Sequence, residues 1–256
     1  MIVDAATYLG PYPFRDVTGA PAGLTRMMRE HAVAVSIASP LDGLFHQDPE
    51  AANQRLMRAI KGRGSIFAAP IVNVRLADWR SRIELMGRDP QVRAIRIAPA
   101  FHGYPAAETR HAAECAAECD LAVTVQLRMA DERFHPSFLD LPATPLPDII
   151  ALAAETPNVR WVASAARMAE IQQSAPQIEP LHNLWLDTSH IDGLDCIQRA
   201  SAAVGIERLL FSTCWPFFYA KSAFLKIGEA GLSSEQSSRL LGGNAAAAFR
   251  LLQRAV

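Results

Sequence analysis

The sequence predicts an α/β fold, a single (β/α)8 TIM barrel spanning residues 1–256 as one domain with extra C-terminal helices. Three observations predict it. Eight short apolar, β-branched runs punctuate the chain. Each is followed by a longer stretch rich in Ala, Leu and Arg with helical period, the alternation that marks parallel βα units. The length of 256 residues matches the ~250 of one such barrel. An open doubly wound sheet is the alternative arrangement of the same units.

The strand runs are Ile2 to Ala5, Ala32 to Ile37, Ile66 to Val72, Val92 to Ile97, Leu121 to Gln126, Val159 to Ala163, Leu184 to Asp187 and Arg208 to Phe211. Several are almost continuously apolar, as strands covered on both faces should be. Between them, Asp48-Pro49-Glu50 places a cap and a proline ahead of a helix over Ala51 to Ile60. A helix begins at Asp78, and Pro105 to Cys119 is a second alanine- and glutamate-rich one. Ser233 with Gln236 three residues on predicts a capping box at a C-terminal helix. Asp140 to Pro147 is the most proline-dense stretch and reads as a loop after strand five. No internal repeat, interdomain linker or glycine-rich phosphate loop occurs, so no cofactor is expected.

Composition excludes several classes of function. Lys and Arg number 25 against 26 Asp and Glu, for a formal charge of −1, so the chain has no basic footprint for nucleic acid. No apolar run approaches the ~18 residues of a membrane span. Met1-Ile2-Val3-Asp4 enters a strand without a secretory leader. The four cysteines, Cys115, Cys119, Cys196 and Cys214, fit a reducing compartment, and a cytoplasmic location is expected. His111, Cys115 and Cys119 share a helix face but lack a fourth ligand, and read as one side of an amphipathic helix.

Three segments resemble the amidohydrolase-related family. Val3 to Gly10 (Val-Asp-Ala-Ala-Thr-Tyr-Leu-Gly) is similar to its strand-one Asp-Ala-His-x-His-x-Gly. Glu207 to Phe217 is similar to its strand-eight Arg-Leu-Leu-Phe-Gly-Ser-Asp-x-Pro. Leu241-Gly242-Gly243-Asn244-Ala245, followed by Phe249 to Leu252, resembles its C-terminal Gly-Asn-Ala-x-x-Leu-Leu helix. The resemblance implies a barrel in which histidines and an aspartate at the carboxyl ends of the strands hold one or two divalent metals. It also implies hydrolysis of an amide, ester or lactone, or decarboxylation. In this chain the corresponding positions carry Ala6, Tyr8, Gln126, Ser164 and Cys214, none of which makes a standard metal site. The resemblance is therefore to a divergent, metal-independent member.

The strand ends remain polar, which predicts a retained site for a small, anionic, carboxylate-bearing substrate. Arg96 and Arg128 are candidates to grip the carboxylate; ion pairs with Asp4, Asp131 or Asp187 are the competing role. Gln126, Asn73, Tyr104 and Ser164 are candidate substrate-binding residues. Tyr8, His102, His190 with Asp187, and Cys214 are candidate catalytic residues, the last as a thiol nucleophile. His135 reads as a loop residue. The expected activity is that of a hydrolase or lactonase, with a non-catalytic ligand- or partner-binding relative and a decarboxylase as alternatives. Trp215 to Tyr219 is a candidate apolar surface for self-association.

Overall fold

The computed structural model describes residues 1–14, 16–129 and 143–251, leaving Asp131, His135 and the first three residues of the proline-dense stretch outside the described residues. Among the described residues ten strands form: β1 (Ile2–Pro11), β2 (Thr18–Gly19), β3 (Val33–Pro40), β4 (Ile66–Ala68), β5 (Ile71–Val72), β6 (Ala94–Ile97), β7 (Ala122–Gln126), β8 (Trp161–Ser164), β9 (Leu184–Asp187) and β10 (Leu209–Leu210). Parallel pairing runs β1–β3–β4 and then β5–β6–β7–β8–β9–β10. β4 and β5 are one barrel strand interrupted around Pro70, which has no N–H to donate. Arg93 N to Ala68 O (3.0 Å) and Arg96 N to Pro70 O (2.7 Å) carry the ladder across that break. The ring closes where Ala5 N donates to Phe211 O (2.9 Å) and Cys214 N to Ala6 O (3.1 Å). The eight expected strands are thus the barrel.

β1 is longer than the expected Ile2 to Ala5. It continues through Tyr8, which pairs with Ser39, and then bends back in a short antiparallel pairing with β2. The Gly10-Pro11-Tyr12-Pro13 composition masks that extension, because prolines usually mark a strand's end.

Alternation along each strand sorts the core into two compartments. Ile95 and Ile97, Val123 and Val125, Leu184 and Leu186, Leu209 and Phe211 point outward and pack under the helices. Inside the barrel, Val3, Ala5, Ile37, Ala94, Ala122, Val162 and Leu210 fill the amino-terminal end. The same alternation, two residues further along, turns Arg96, Thr124, Ser164 and Asp187 inward near the carboxyl end.

The helix expectations hold with small shifts. The second helix starts at Glu50, whose N–H is accepted by Asp48 Oδ1 at 3.0 Å. Ala106–Thr109 is a 3-10 turn leading into the helix Arg110–Glu118. The Ser233–Gln236 capping box forms in both directions, at 3.2 and 2.9 Å. Past it, Arg239–Gly243 is a π-helical turn and Asn244–Ala248 an α-helix. Asn244 Nδ2 donates to Ile206 O and Leu209 O, both at 2.8 Å, tying this helix beneath β10. A Cβ on Gly242 would lie 2.1 Å from Met1 O, so only glycine allows the approach. The Gly-Gly-Asn motif therefore seals the barrel floor, with Ala245, Ala248 and Phe249 completing it.

Candidate functional site

The carboxyl end of the barrel is built around one guanidinium. Arg96 comes from β6, is fully buried, and meets side chains from four other strands. Its Nε donates to Ser39 Oγ at 2.7 Å, and its Nη1 to Tyr8 Oη at 3.0 Å, to Gln126 Oε1 and to Ser164 Oγ at 3.3 Å. Tyr8 Oη itself donates to Gln126 Oε1 at 2.7 Å. The guanidinium carbon also lies 5.0 Å from the Tyr8 ring centroid, a cation–π contact. A buried charge is tolerable only when its donors are matched. Here they are, except one: Nη2 is buried without a partner among the described residues.

Across the mouth, β9 ends in Asp187, also fully buried. Its Oδ1 accepts from Ser189 N (3.0 Å) and Ser189 Oγ (2.5 Å), while Oδ2 is buried and has no partner among the described residues. Ser189 Oγ lies 3.0 Å from His190 Nδ1, and His190 Nε2 is likewise buried without a partner. Burial pushes His190 down to about 4, so its ring is neutral near pH 7. Asp4 on β1 accepts from Thr213 Oγ1 at 2.5 Å and Thr213 N at 3.1 Å; burial outweighs these bonds and pushes its carboxyl up to about 7.

Aromatic rings gather over these groups. Tyr12 meets Phe14, Phe45 and Phe217 edge-on, at centroid distances of 5.5, 5.6 and 4.9 Å, and Phe217 meets Tyr8 at 6.1 Å. Phe101 joins through Phe45. The site is a polar floor under an aromatic roof.

A model of the family described as amidohydrolase matches residues 11–251. The chain belongs to the amidohydrolase family. Among solved structures it is similar to a putative amidohydrolase from Staphylococcus aureus, with a TM-score of 0.75 at 10% identity over 97% of this chain and 99% of that one. It is also similar to a 2,6-dihydroxybenzoate decarboxylase from Rhizobium, with a TM-score of 0.72 at 15% identity over 98% and 99%. A probable 2-pyrone-4,6-dicarboxylic acid hydrolase from Acinetobacter baumannii gives 0.69 at 11% identity over 97% and 99%. At these identities the likeness establishes the barrel. No curated protein matches the sequence.

Family membership implies a divalent metal, and the residues at those positions do not fit one. Among the described residues no three His, Cys, Asp or Glu side chains gather to hold an ion. Tyr8, Gln126 and Ser164, which stand at ligand positions by resemblance, instead share the Arg96 guanidinium. A divalent cation placed among them would face that fixed positive charge.

Several candidate residues are placed elsewhere than the sequence suggested. Arg128 stands beside His190 at the mouth but is not free to act as an anion grip. Both its Nη atoms pair with Glu170, and Nη1 also donates to Ala165 O at 2.6 Å. Its partner is none of the expected aspartates, because Glu170 lies in the first turn of the next helix, Met168–Ile178. Asn73 is spent on its own loop, donating to Gln47 O at 2.8 Å and accepting from Arg75 N at 3.0 Å. His102 is buried, pushed down to about 4, with its ring turned to the Gly43 and His46 backbone. Tyr104 packs against Arg75 and has its hydroxyl pushed up by burial. Cys214 does sit in the mouth, but burial, reinforced by Asp187, drives its thiol far up, so it holds its proton and is no ready nucleophile. Trp215 to Phe218 turn partly inward, leaving Tyr219 as the exposed member at 89%. Glu170 and the roof rings Tyr12, Phe45 and Phe101 carried no such roles in the sequence. The spacing of Glu170 inside a helical first turn was the available signal for the first.

Proposed function

We propose that this chain, acting as one domain over residues 1–256, binds a small carboxylate-bearing compound at the barrel mouth and hydrolyses it without a resident divalent ion. The observation that carries this reading is the pair of buried, opposite charges left open there, Arg96 Nη2 and Asp187 Oδ2. Buried polar atoms are nearly always matched, so an unmatched donor and an unmatched carboxylate oxygen at the same end of the barrel, both acting on Tyr8 and Cys214, favour a ligand that matches both. Arg96 supplies fixed positive charge for a carboxylate or for the oxygen of a reacting carbonyl. Asp187, with Ser189 and His190, receives the proton of the attacking water. The roof rings give an apolar ring or chain a surface to lie on. Among the described residues no helix is long and apolar enough to cross a membrane, and a dissolved cytoplasmic metabolite is the proposed substrate.

A second reading, binding without chemistry, is favoured by one specific feature. Tyr8 and Gln126 are committed to each other and to Arg96, leaving few polar groups free to act on a substrate. A third is decarboxylation, favoured by similarity to a decarboxylase solved in complex with 2,6-dihydroxybenzoate.

The test is a set of lactones, ester- and amide-bearing acids and hydroxybenzoates offered to protein dialysed against chelator, with product read by mass. Hydrolysis without added metal, lost in Asp187→Asn, is expected. Activity that appears only on adding zinc or manganese refutes the metal-free reading. Saturable binding with no product favours the second.

A further inference from the structure

We propose that Asp187, Ser189 and His190 form a three-residue proton wire whose outer atom, His190 Nε2, accepts the proton of a hydroxyl group on the bound ligand or of water. The inference rests on the proposed small-molecule site and gives that site its polarity.

The direction of the wire follows from what each atom can do. Ser189 Oγ is 2.5 Å from Asp187 Oδ1 and 3.0 Å from His190 Nδ1. A carboxylate oxygen only accepts, so the serine proton lies toward Asp187. Oγ then has only lone pairs to offer the imidazole. His190 must therefore carry its proton on Nδ1 and expose a bare lone pair at Nε2. That lone pair is buried and unmet, as are Asp187 Oδ2 and Arg96 Nη2. Two open acceptors and one open donor define the complementary ligand: it brings O–H or N–H groups to the β9 side and an anionic or carbonyl oxygen to Arg96.

The surroundings keep the wire in register. The groups facing His190 are Asp187, Asp192, Arg128 and Lys226, with Phe218 edge-on at 5.1 Å. Lys226 Nζ donates to Thr188 O (3.2 Å), Ile191 O (3.0 Å) and Asp192 Oδ1 (3.1 Å), pinning the loop from both sides of the histidine.

The transfer balances without any other reactant. A hydroxyl O–H bond breaks as Nε2–H forms, Nδ1–H passes to Ser189 Oγ, and the serine proton passes to Asp187 Oδ1. Negative charge leaves Asp187 and arrives on the ligand or water oxygen. No electrons are exchanged.

The experiment reads the histidine tautomer and needs no substrate. Protein labelled with 15N-histidine is examined by two-bond 15N–1H correlation between pH 6 and 8, with His190 identified by the signals that vanish in His190→Gln. A neutral ring protonated on Nδ1 is expected. Ser189→Ala should shift the tautomer ratio toward Nε2–H by about tenfold, the worth of one buried hydrogen bond, and Ser189→Thr should keep it. The backbone N–H of residue 189 still reaches Asp187 in both variants, which protects the fold. An Nε2–H ring in the wild type, or a ratio unmoved by Ser189→Ala, overturns the wire. If the Nδ1–H ring is found but the chelated protein turns nothing over, the wire stands and the hydrolase reading falls.

Discussion

The two ends of this barrel interior solve the same packing problem in opposite ways. At the amino-terminal end, small and branched apolar side chains from six strands meet Phe249 and the alanines of the last helix. At the carboxyl end, two residues further along β6 and β9, the barrel buries Arg96 and Asp187 completely, and Asp4 on β1 is as fully buried. Burying apolar groups stabilises at ~25 cal/mol per Å², whereas burying charge costs several kcal/mol per ion before its partners compensate. The floor is what folding alone would select. The mouth carries a cost that folding does not require, and that contrast is the reason to look there for function.

The largest expected effect breaks the comparison at the floor. Phe249→Ala should cost ~3–5 kcal/mol of unfolding free energy, as large-to-small core changes do, measured by urea denaturation. Ligand affinity at the mouth should not change. A variant that unfolds normally but loses ligand would mean the two ends are coupled, and the division into floor and site would fail.

Arg96→Met reverses the pattern. The buried guanidinium is replaced by a similarly long apolar chain, so stability moves little, while a charge-assisted bond worth ~1.5–3 kcal/mol to an anionic ligand is lost. Affinity for a carboxylate found in the screen should fall about tenfold to a hundredfold, read by calorimetry. Unchanged affinity would show that Arg96 serves only the Tyr8–Gln126 network.

Acid and base limbs of stability separate the buried titratable groups. His102 and His190 sit at about 4 in the folded chain, against ~6.5 unfolded. Their contribution is full above pH ~6.5 and is lost as pH falls toward 4, because only the unfolded chain takes up the protons. Asp4 behaves oppositely. At about 7 folded against ~3.9 unfolded, it contributes fully below pH ~3.9 and loses that contribution as pH rises through 7. Two histidines outweigh one aspartate between, so stability should rise to a maximum near pH ~6.5 and then decline slightly. Denaturation across pH checks this: His190→Gln should flatten the acid limb and Asp4→Asn the decline. A curve unaltered by both substitutions contradicts the burial argument.

The fold was legible because period and length are local properties. Eight strand runs, the Ser233 capping box and the Gly-Gly-Asn seal each rest on residues close in sequence or on one steric demand, and all appear in the structure. The site was legible only in part. Strand-end position announces which residues face the mouth, and Arg96, Tyr8, Gln126 and Ser164 do converge. Partner choice is not announced. Arg128 and Glu170 are 42 residues apart, and nothing in either residue's neighbours says that they meet. His102 and Tyr104 looked chemically rich as a loop, but His102 turns to the Gly43 and His46 backbone and Tyr104 to the Arg75 guanidinium. Sequence supplies the functional groups, and three-dimensional pairing decides which are already spent.

That distinction makes Glu170→Gln the finest probe of the mouth. Glu170 holds both Nη atoms of Arg128 and accepts Arg167 N at 2.8 Å at the start of its helix. The amide keeps one accepting oxygen and removes the charge, so stability should fall by ~1–2 kcal/mol, a charge-assisted bond less a neutral one. The uncompensated Arg128 acts on His190, lowering its proton affinity, and with Glu170 neutral that effect is no longer offset. The His190 ring should therefore titrate at still lower pH, read by the same 15N signals. The freed guanidinium also becomes available to anions, so benzoate should bind a few-fold more tightly by calorimetry. A rise in the His190 titration point would mean that Arg128 moves away from the mouth once released, and that Arg96 is its sole organising cation.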